Sequence, residues 1–163
     1  MYPERNYAPG MASTSLPSPP GRGVPRELGR DEIDAFLRAQ RVARLGCHGD
    51  GETYIVPVIY GYDGESIVAV TTEGRKVSML RENPRVCVEV DEYDIDGRGS
   101  WRSVIAQGVY EELSGEDVEP ALELLRERFT HAAGRTPERR GPGPGVVVFR
   151  VRLGETTGRA VER

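Results

Sequence analysis

The sequence predicts a mainly β fold, a six-stranded antiparallel barrel with helical additions, and it does so through pattern rather than composition. Six short β-branched apolar runs lie along the chain, the first three are joined by hairpin-length turns at Gly49-Asp50-Gly51 and Asp63-Gly64, and only three stretches space their apolar residues as helices do. Closing such a sheet removes exposed edges. A doubly wound parallel fold is disfavoured, because its crossovers need a helix after nearly every strand and the first three strands here have none.

Each element has its own signal. The first 25 residues hold six of the twelve prolines among Gly and Ser, which predicts a disordered tail before a barrel domain over 26–155 and a C-terminal tail over 156–163. Behind the acidic start at Asp31, Ile33, Phe36 and Leu37 form a helical stripe that runs to about Gln40 and should cap a sheet. Val42 to Cys47, Tyr54 to Tyr60 and Ser66 to Thr71 then read as a three-stranded meander. Val77 and Leu80 mark a short helix from Gly74 to Glu82, stopped at Asn83-Pro84 because proline disfavours a helical residue before it. Val86 to Val90, Ser103 to Tyr110 and Val146 to Val151 supply the last three strands, with a helix carrying Leu122, Leu125 and Phe129 over Pro120 to Phe129. Gly134 to Gly145 reads as a loop rich in Gly, Pro and Arg.

At 163 residues one domain is expected, with a core large enough to stand without staples. Against 26 acidic residues there are 22 basic ones, so the net charge of −4 disfavours general nucleic-acid binding. Cys47 and Cys87 lie in separate apolar runs and read as reduced, buried thiols. No stretch suits a membrane span or a signal peptide, so the expected location is the cytoplasm.

Of the 22 cations, 21 are arginine, and the one lysine, Lys76, sits in Thr71-Thr72-Glu73-Gly74-Arg75-Lys76, where a strand pattern gives way to a helix pattern. A helix start offers unpaired N–H groups and the positive end of the helix dipole, so hydroxyls, a glycine and two cations there suit a phosphate; ordinary capping with a solvated Arg-Lys pair is the other reading. It is neither a Walker loop nor a dinucleotide fingerprint. Pro57, inside the run Ile55 to Ile59, removes a ladder N–H, which places it at a strand edge or where two strands part and expose backbone groups to a planar heterocycle. Trp101-Arg102-Ser103 opens a strand with an aromatic plane, a cation and a hydroxyl, and reads equally as a rim tryptophan over the core. His48 and His131 are the only histidines. Cys47 and His48 are adjacent and face opposite sides of a strand, so they do not form a metal site, and no nucleophile elbow is present. His48 at a strand end is a surface residue or a proton donor at a pocket.

Taken in order, Arg44-Leu45, Asp50-Gly51, Tyr54-Ile55-Val56-Pro57-Val58, Thr71-Thr72-Glu73-Gly74-Arg75-Lys76 with Leu80, Asn83-Pro84-Arg85-Val86, and Trp101-Arg102-Ser103-Val104 leading to Gly108 resemble the pyridoxamine 5'-phosphate oxidase-like family of FMN-binding split barrels. The resemblance spans roughly residues 27 to 133. It is most similar to the branch that includes nitroimidazole-resistance reductases. What it implies is a six-stranded, Greek-key-like split β-barrel that forms a homodimer with FMN at the subunit interface. Arg75 and Lys76 would hold the phosphate, with Thr71 and Thr72 beside the phosphate and ribityl chain. Val56, Pro57, Val58 and Ile59 would run along the isoalloxazine, Trp101, Arg102 and Ser103 would come from the partner subunit, and His48 would lie near the flavin by looser analogy.

The strand Tyr54 to Tyr60 lacks the arginine and lysine of true pyridoxamine phosphate oxidases, and their C-terminal substrate segment has no evident counterpart, which argues against vitamin oxidation. The expected activity is FMN-dependent transfer of hydride or electrons from a nicotinamide donor to a small planar acceptor. Two alternatives stand beside it. One is a deazaflavin-dependent reductase, its acidic tail met by Arg139-Arg140 or by Arg5 and Arg22; the other is a non-enzymatic barrel that binds flavin, or haem through His48.

Overall fold

The computed structural model describes residues 24–94, 99–133 and 143–162. The expected disordered tail, with Arg5 and Arg22, and the Arg139-Arg140 loop lie outside these residues, as does the side chain of His131.

In chain order the elements are β1 (Arg26–Glu27), α1 (Arg30–Ala39), β2 (Val42–Gly49), β3 (Glu52–Tyr62), β4 (Ser66–Thr72), α2 (Arg75–Glu82), β5 (Arg85–Tyr93), β6 (Trp101–Glu112), α3 (Val118–Ala133) after a short 3-10 turn at Gly115–Asp117, and β7 (Val146–Val161). The six expected strands and three expected helices are present, joined by the two-residue β1. All pairings are antiparallel, in the order β1-β7-β4-β3-β2-β5-β6. A further pairing of β6 with β7 closes the six long strands into a ring. The meander β2-β3-β4 is followed by a jump, in which α2 carries the chain across the end of the barrel so that β5 pairs with β2 rather than with β4.

The last strand corrects one expectation. It continues past Val151 to Val161, so residues 156–161 are strand and not tail. Two neighbours hold it there: β6 pairs with it from Trp101 to Ala106, and β1 adds Arg26 and Glu27 opposite Ala160 and Arg159. Gly158 admits this packing, since a Cβ there would come within 2.9 Å of Ile33 and 3.0 Å of Leu28.

Inside the ring, Tyr60, Phe149, Leu45, Ile67, Leu80 and Val151 are fully buried. α1 turns Phe36 and Leu37 onto one end of the barrel, and the Tyr60 hydroxyl donates to the Leu37 carbonyl at 2.8 Å. Outside the wall, α3 lays Ala121 and Leu125 on Val68 and Val148. From α3, Arg128 reaches back to donate to the carbonyls of Arg38 (2.6 Å) and Gln40, and its guanidinium lies over the Tyr60 ring at 5.8 Å. It thereby caps the C-terminal end of α1, where carbonyls lack helical partners.

Candidate functional site

β3 is paired with β2 from Glu52 to Ile59. With β4 it pairs only through Tyr60, Gly61 and Tyr62. β4 goes on without it, placing Val70, Thr71 and Thr72 opposite Val148, Val147 and Val146 of β7. The parting expected at Pro57 is therefore a real split between β3 and β4.

Antiparallel alternation decides which groups face the split. The Tyr60 N–H donates to the Arg41 carbonyl at 3.1 Å, which turns the backbone of Val56, Val58 and Tyr60 toward β2. The Asp63 N–H donates to the Ser66 carbonyl at 3.2 Å on the other edge, which turns that of Ile55, Pro57 and Ile59 toward the split. Pro57 thus lacks its N–H where the ladder is already open, and costs β2 no hydrogen bond. Among the described residues, the N–H and C=O of Ile55, the C=O of Pro57 and the N–H of Ile59 have no strand partner there. Apolar side chains flank the opening, with Ile55 63% exposed, Ile59 52% and Val70 43%. Val56 and Val58, expected to run along a ligand, face inward and pack with the core, so the residues that meet the split are Ile55, Pro57 and Ile59.

At the end of β4 the chain turns into α2. The Glu73 N–H donates to the Gly145 carbonyl at 3.0 Å, and Gly74 takes φ 159° and ψ −171°, a combination side chains rarely adopt. Arg75 and Lys76 are the first two helical residues, where N–H groups lack intrahelical acceptors. Arg75 pairs with Glu52 and lies over the Tyr54 ring at 5.0 Å, bridging α2 to the parted stretch of β3. Lys76 is half-buried and, among the described residues, makes no hydrogen bond or ion pair. Burial holds its pKa below the ordinary lysine value, an effect the nearby Cys47 thiol partly offsets. Burial also pushes the Cys47 thiol up, against the pull of Lys76 and Arg75. A half-buried cation without a countercharge is poised for an anion.

Thr71 and Thr72 stand beside this turn, with the Thr71 hydroxyl bonded only weakly to the Thr72 carbonyl at 3.4 Å. His48 is on the outer face of β2, its Nδ1 3.1 Å from the Thr53 hydroxyl and its carbonyl receiving the Asn83 amide at 2.9 Å. With Gly46, Ile55 and Cys87 it lines an apolar outer groove of about 450 Å³. Trp101, Arg102 and Ser103 are not joined to the turn at residues 71–76 within one chain. Trp101 lies opposite Tyr93 at the far end of β5, whereas α2 feeds β5 at Arg85, opposite Val109. Eight residues of strand, roughly 26 Å, separate the two ends.

Tyr54, Glu52 and Cys47 belong to the site and carried little sequence signal. Tyr54 reads as one more strand aromatic; only the return of α2 against β3 places a cation over it. Among the described residues, no group of three His, Cys, Asp or Glu side chains is placed to hold a metal, and no helix is long and apolar enough to cross a membrane.

A sequence profile for pyridoxamine 5'-phosphate oxidase matches residues 29–160. An uncharacterized Rhizobium meliloti protein is 33% identical over 88 residues, which cover 54% of this chain and 57% of that protein. Among solved structures, an FAD-binding protein from Mesorhizobium loti is similar at a TM-score of 0.70 with 30% identity, over 86% of this chain and 99% of that one. A candidate 5-nitroimidazole antibiotic resistance protein from Bacteroides thetaiotaomicron shares the fold at a TM-score of 0.67 with 18% identity, over 85% and 88% of the two chains.

Proposed function

The chain belongs to the pyridoxamine 5'-phosphate oxidase family, and we propose that within it the protein is an FMN-binding oxidoreductase acting on a small planar acceptor. The observation that carries this reading is the unpaired, half-buried Lys76 at a helix start, next to a strand edge whose backbone groups are open and whose flanks are apolar.

The donor set fits a flavin mononucleotide. Lys76, Arg75, the α2 N-terminal amides and the Thr71 and Thr72 hydroxyls supply charge-assisted and neutral donors for a phosphate dianion. The edge of β3 offers N–H and C=O groups for the polar rim of a heterocycle, and Ile55, Pro57, Ile59 and Val70 offer an apolar wall. When bound, the flavin supplies hydride transfer between a nicotinamide donor and an acceptor. The protein's own work is to orient the ring, exclude water from one side of it and fix the charge of the phosphate. Arg75 must give up Glu52, an exposed partner, to join Lys76.

A second copy of the chain completes the proposal. Val42, Ile55, Ile59, Ile105 and Val109 are exposed apolar residues on β2, β3 and β6, and the proposal is that another copy covers this face and supplies its Trp101, Arg102 and Ser103 to the first copy's split. FAD is the competing cofactor, because the Mesorhizobium loti protein binds FAD and either molecule would present a phosphate beside its ribityl chain to Lys76.

Protein purified from cells should be yellow, the released cofactor should run with FMN rather than FAD on chromatography, and NADH or NADPH should bleach the bound flavin with recovery on adding a quinone or nitroaromatic. Colourless protein that takes up neither flavin contradicts the proposal, and bound flavin that no nicotinamide reduces limits it to storage.

A further inference from the structure

The loop that precedes Lys76 contains an acid, Glu73, three positions before the lysine. Left free, its carboxylate would oppose a bound phosphate and compete for the lysine. Arg81, in the last turn of α2, takes both of its oxygens, Nη1 to Oε2 at 2.9 Å and Nη2 to Oε1 at 2.7 Å. The same guanidinium holds both oxygens of Glu112 at the end of β6, through Nε at 2.6 Å and Nη2 at 3.0 Å. Glu112 in turn accepts from the hydroxyl of buried Tyr110 at 3.1 Å, and the Tyr110 ring packs on Phe149 at 5.2 Å between centroids. A continuous run of contacts thus ties the core to the carboxylate of the loop. Arg81 holds the Glu112 carboxyl below its ordinary value, so that carboxylate stays ionised at neutral pH.

We infer that Arg81 is a positioning residue for the anion site, neutralising Glu73 and holding it to the far turn of α2 so that Lys76 keeps its charge for a phosphate. The inference rests on the reading of residues 71–76 as a flavin-phosphate site. Glu73 and Arg81 are half-exposed, and exposed ion pairs add little to stability. The role therefore belongs in ligand affinity rather than in melting temperature. Two ends of one helix are used in opposite senses: its start presents cations to the ligand, and its last turn removes the competing acid.

The test is titration of flavin-free protein with FMN and with riboflavin, which lacks the phosphate, alongside thermal melts. Arg81→Ala is expected to weaken FMN about three- to tenfold, as a like charge returned to the site would, with riboflavin unchanged. Adding Glu73→Gln to Arg81→Ala is expected to restore FMN affinity to within about twofold of the parent. Arg81→Lys, with one point charge for two carboxylates, should show a smaller loss that Glu73→Gln also repairs, and it serves if Arg81→Ala does not fold. Unchanged FMN affinity in the Arg81 variants, or a loss that Glu73→Gln does not repair, overturns the inference. Lys76→Ala separates this from failure of the site itself: if that variant binds FMN and riboflavin with parental affinity, the phosphate reading falls, whereas a Lys76 loss beside an intact Arg81→Ala removes only the role of Arg81.

Discussion

The two halves of β3 make opposite use of the same alternating strand. From Tyr60 to Tyr62 it is paired with β4, with the Tyr60 N–H donating to the Arg41 carbonyl on the other edge, and is closed over by α1 and by Arg128 of α3. From Thr53 to Val58 it is bonded on one edge only, and Arg75 of α2 reaches this parted stretch at Tyr54 and Glu52. A β4-paired edge and buried aromatics at one end support an open edge and an unpaired cation at the other. Stability and binding should therefore separate along a single strand.

Substitution deep in the closed region should have the largest effect. Phe149→Ala removes a fully buried ring and should cost about 3–5 kcal/mol in urea unfolding. A loss below about 1 kcal/mol would show that the ring is not part of a tight core. At the split, Lys76→Ala should weaken FMN by about 1.5–3 kcal/mol, the range for a hydrogen bond to a charged group, while leaving urea stability nearly unchanged. A variant that loses stability instead of affinity would erase the contrast between the two regions.

The pH dependence follows from the depressed pKa of Lys76. In the flavin-free protein the ammonium loses its proton below the ordinary lysine value, so FMN affinity should fall in the alkaline range before an exposed lysine would titrate, and riboflavin affinity should not. For stability the sign is reversed: burying the charged form is unfavourable below the folded pKa, and this penalty is relieved as pH rises from the folded toward the unfolded value. An FMN profile flat to the ordinary lysine value would contradict the assignment.

Pro57→Ala is the smallest effect and the finest probe. If the Pro57 position faces the split, the new N–H gains no β2 partner and stability should fall by about 0.4–1 kcal/mol through the freer unfolded chain. A gain in stability would mean that the position faces β2 and that the edge assignment is reversed.

Much of this was legible in the sequence, for identifiable reasons. Hairpin turns at Gly49-Asp50-Gly51 and Asp63-Gly64 fixed the meander, and Asn83-Pro84 ended α2 where expected. Pro57 and Lys76 stood out because each breaks a local rule, a proline inside a strand and a lone lysine among arginines. The extension of β7 was hidden, since the stretch from Arg152 to Arg159 is polar and contains two glycines. It becomes strand only because β6 and β1 bond to it. The choice of Ile55 and Ile59 over Val56 and Val58 was hidden as well, because which alternate residues face a split depends on the register with β2. Arg75 over Tyr54 and Arg81 on Glu73 and Glu112 are contacts made by the return of α2 across the barrel end, and no local spacing announces them.

Residue-resolved amide exchange with and without FMN tests the split edge most directly. Without flavin, the Val56 and Val58 amides, bonded to β2, should exchange slowly and the Ile55 and Ile59 amides fast; adding FMN should slow Ile55 and Ile59 while leaving Val56 and Val58 as they were. Equal protection of all four before flavin is added, or no change at Ile55 and Ile59 when it binds, would contradict the account.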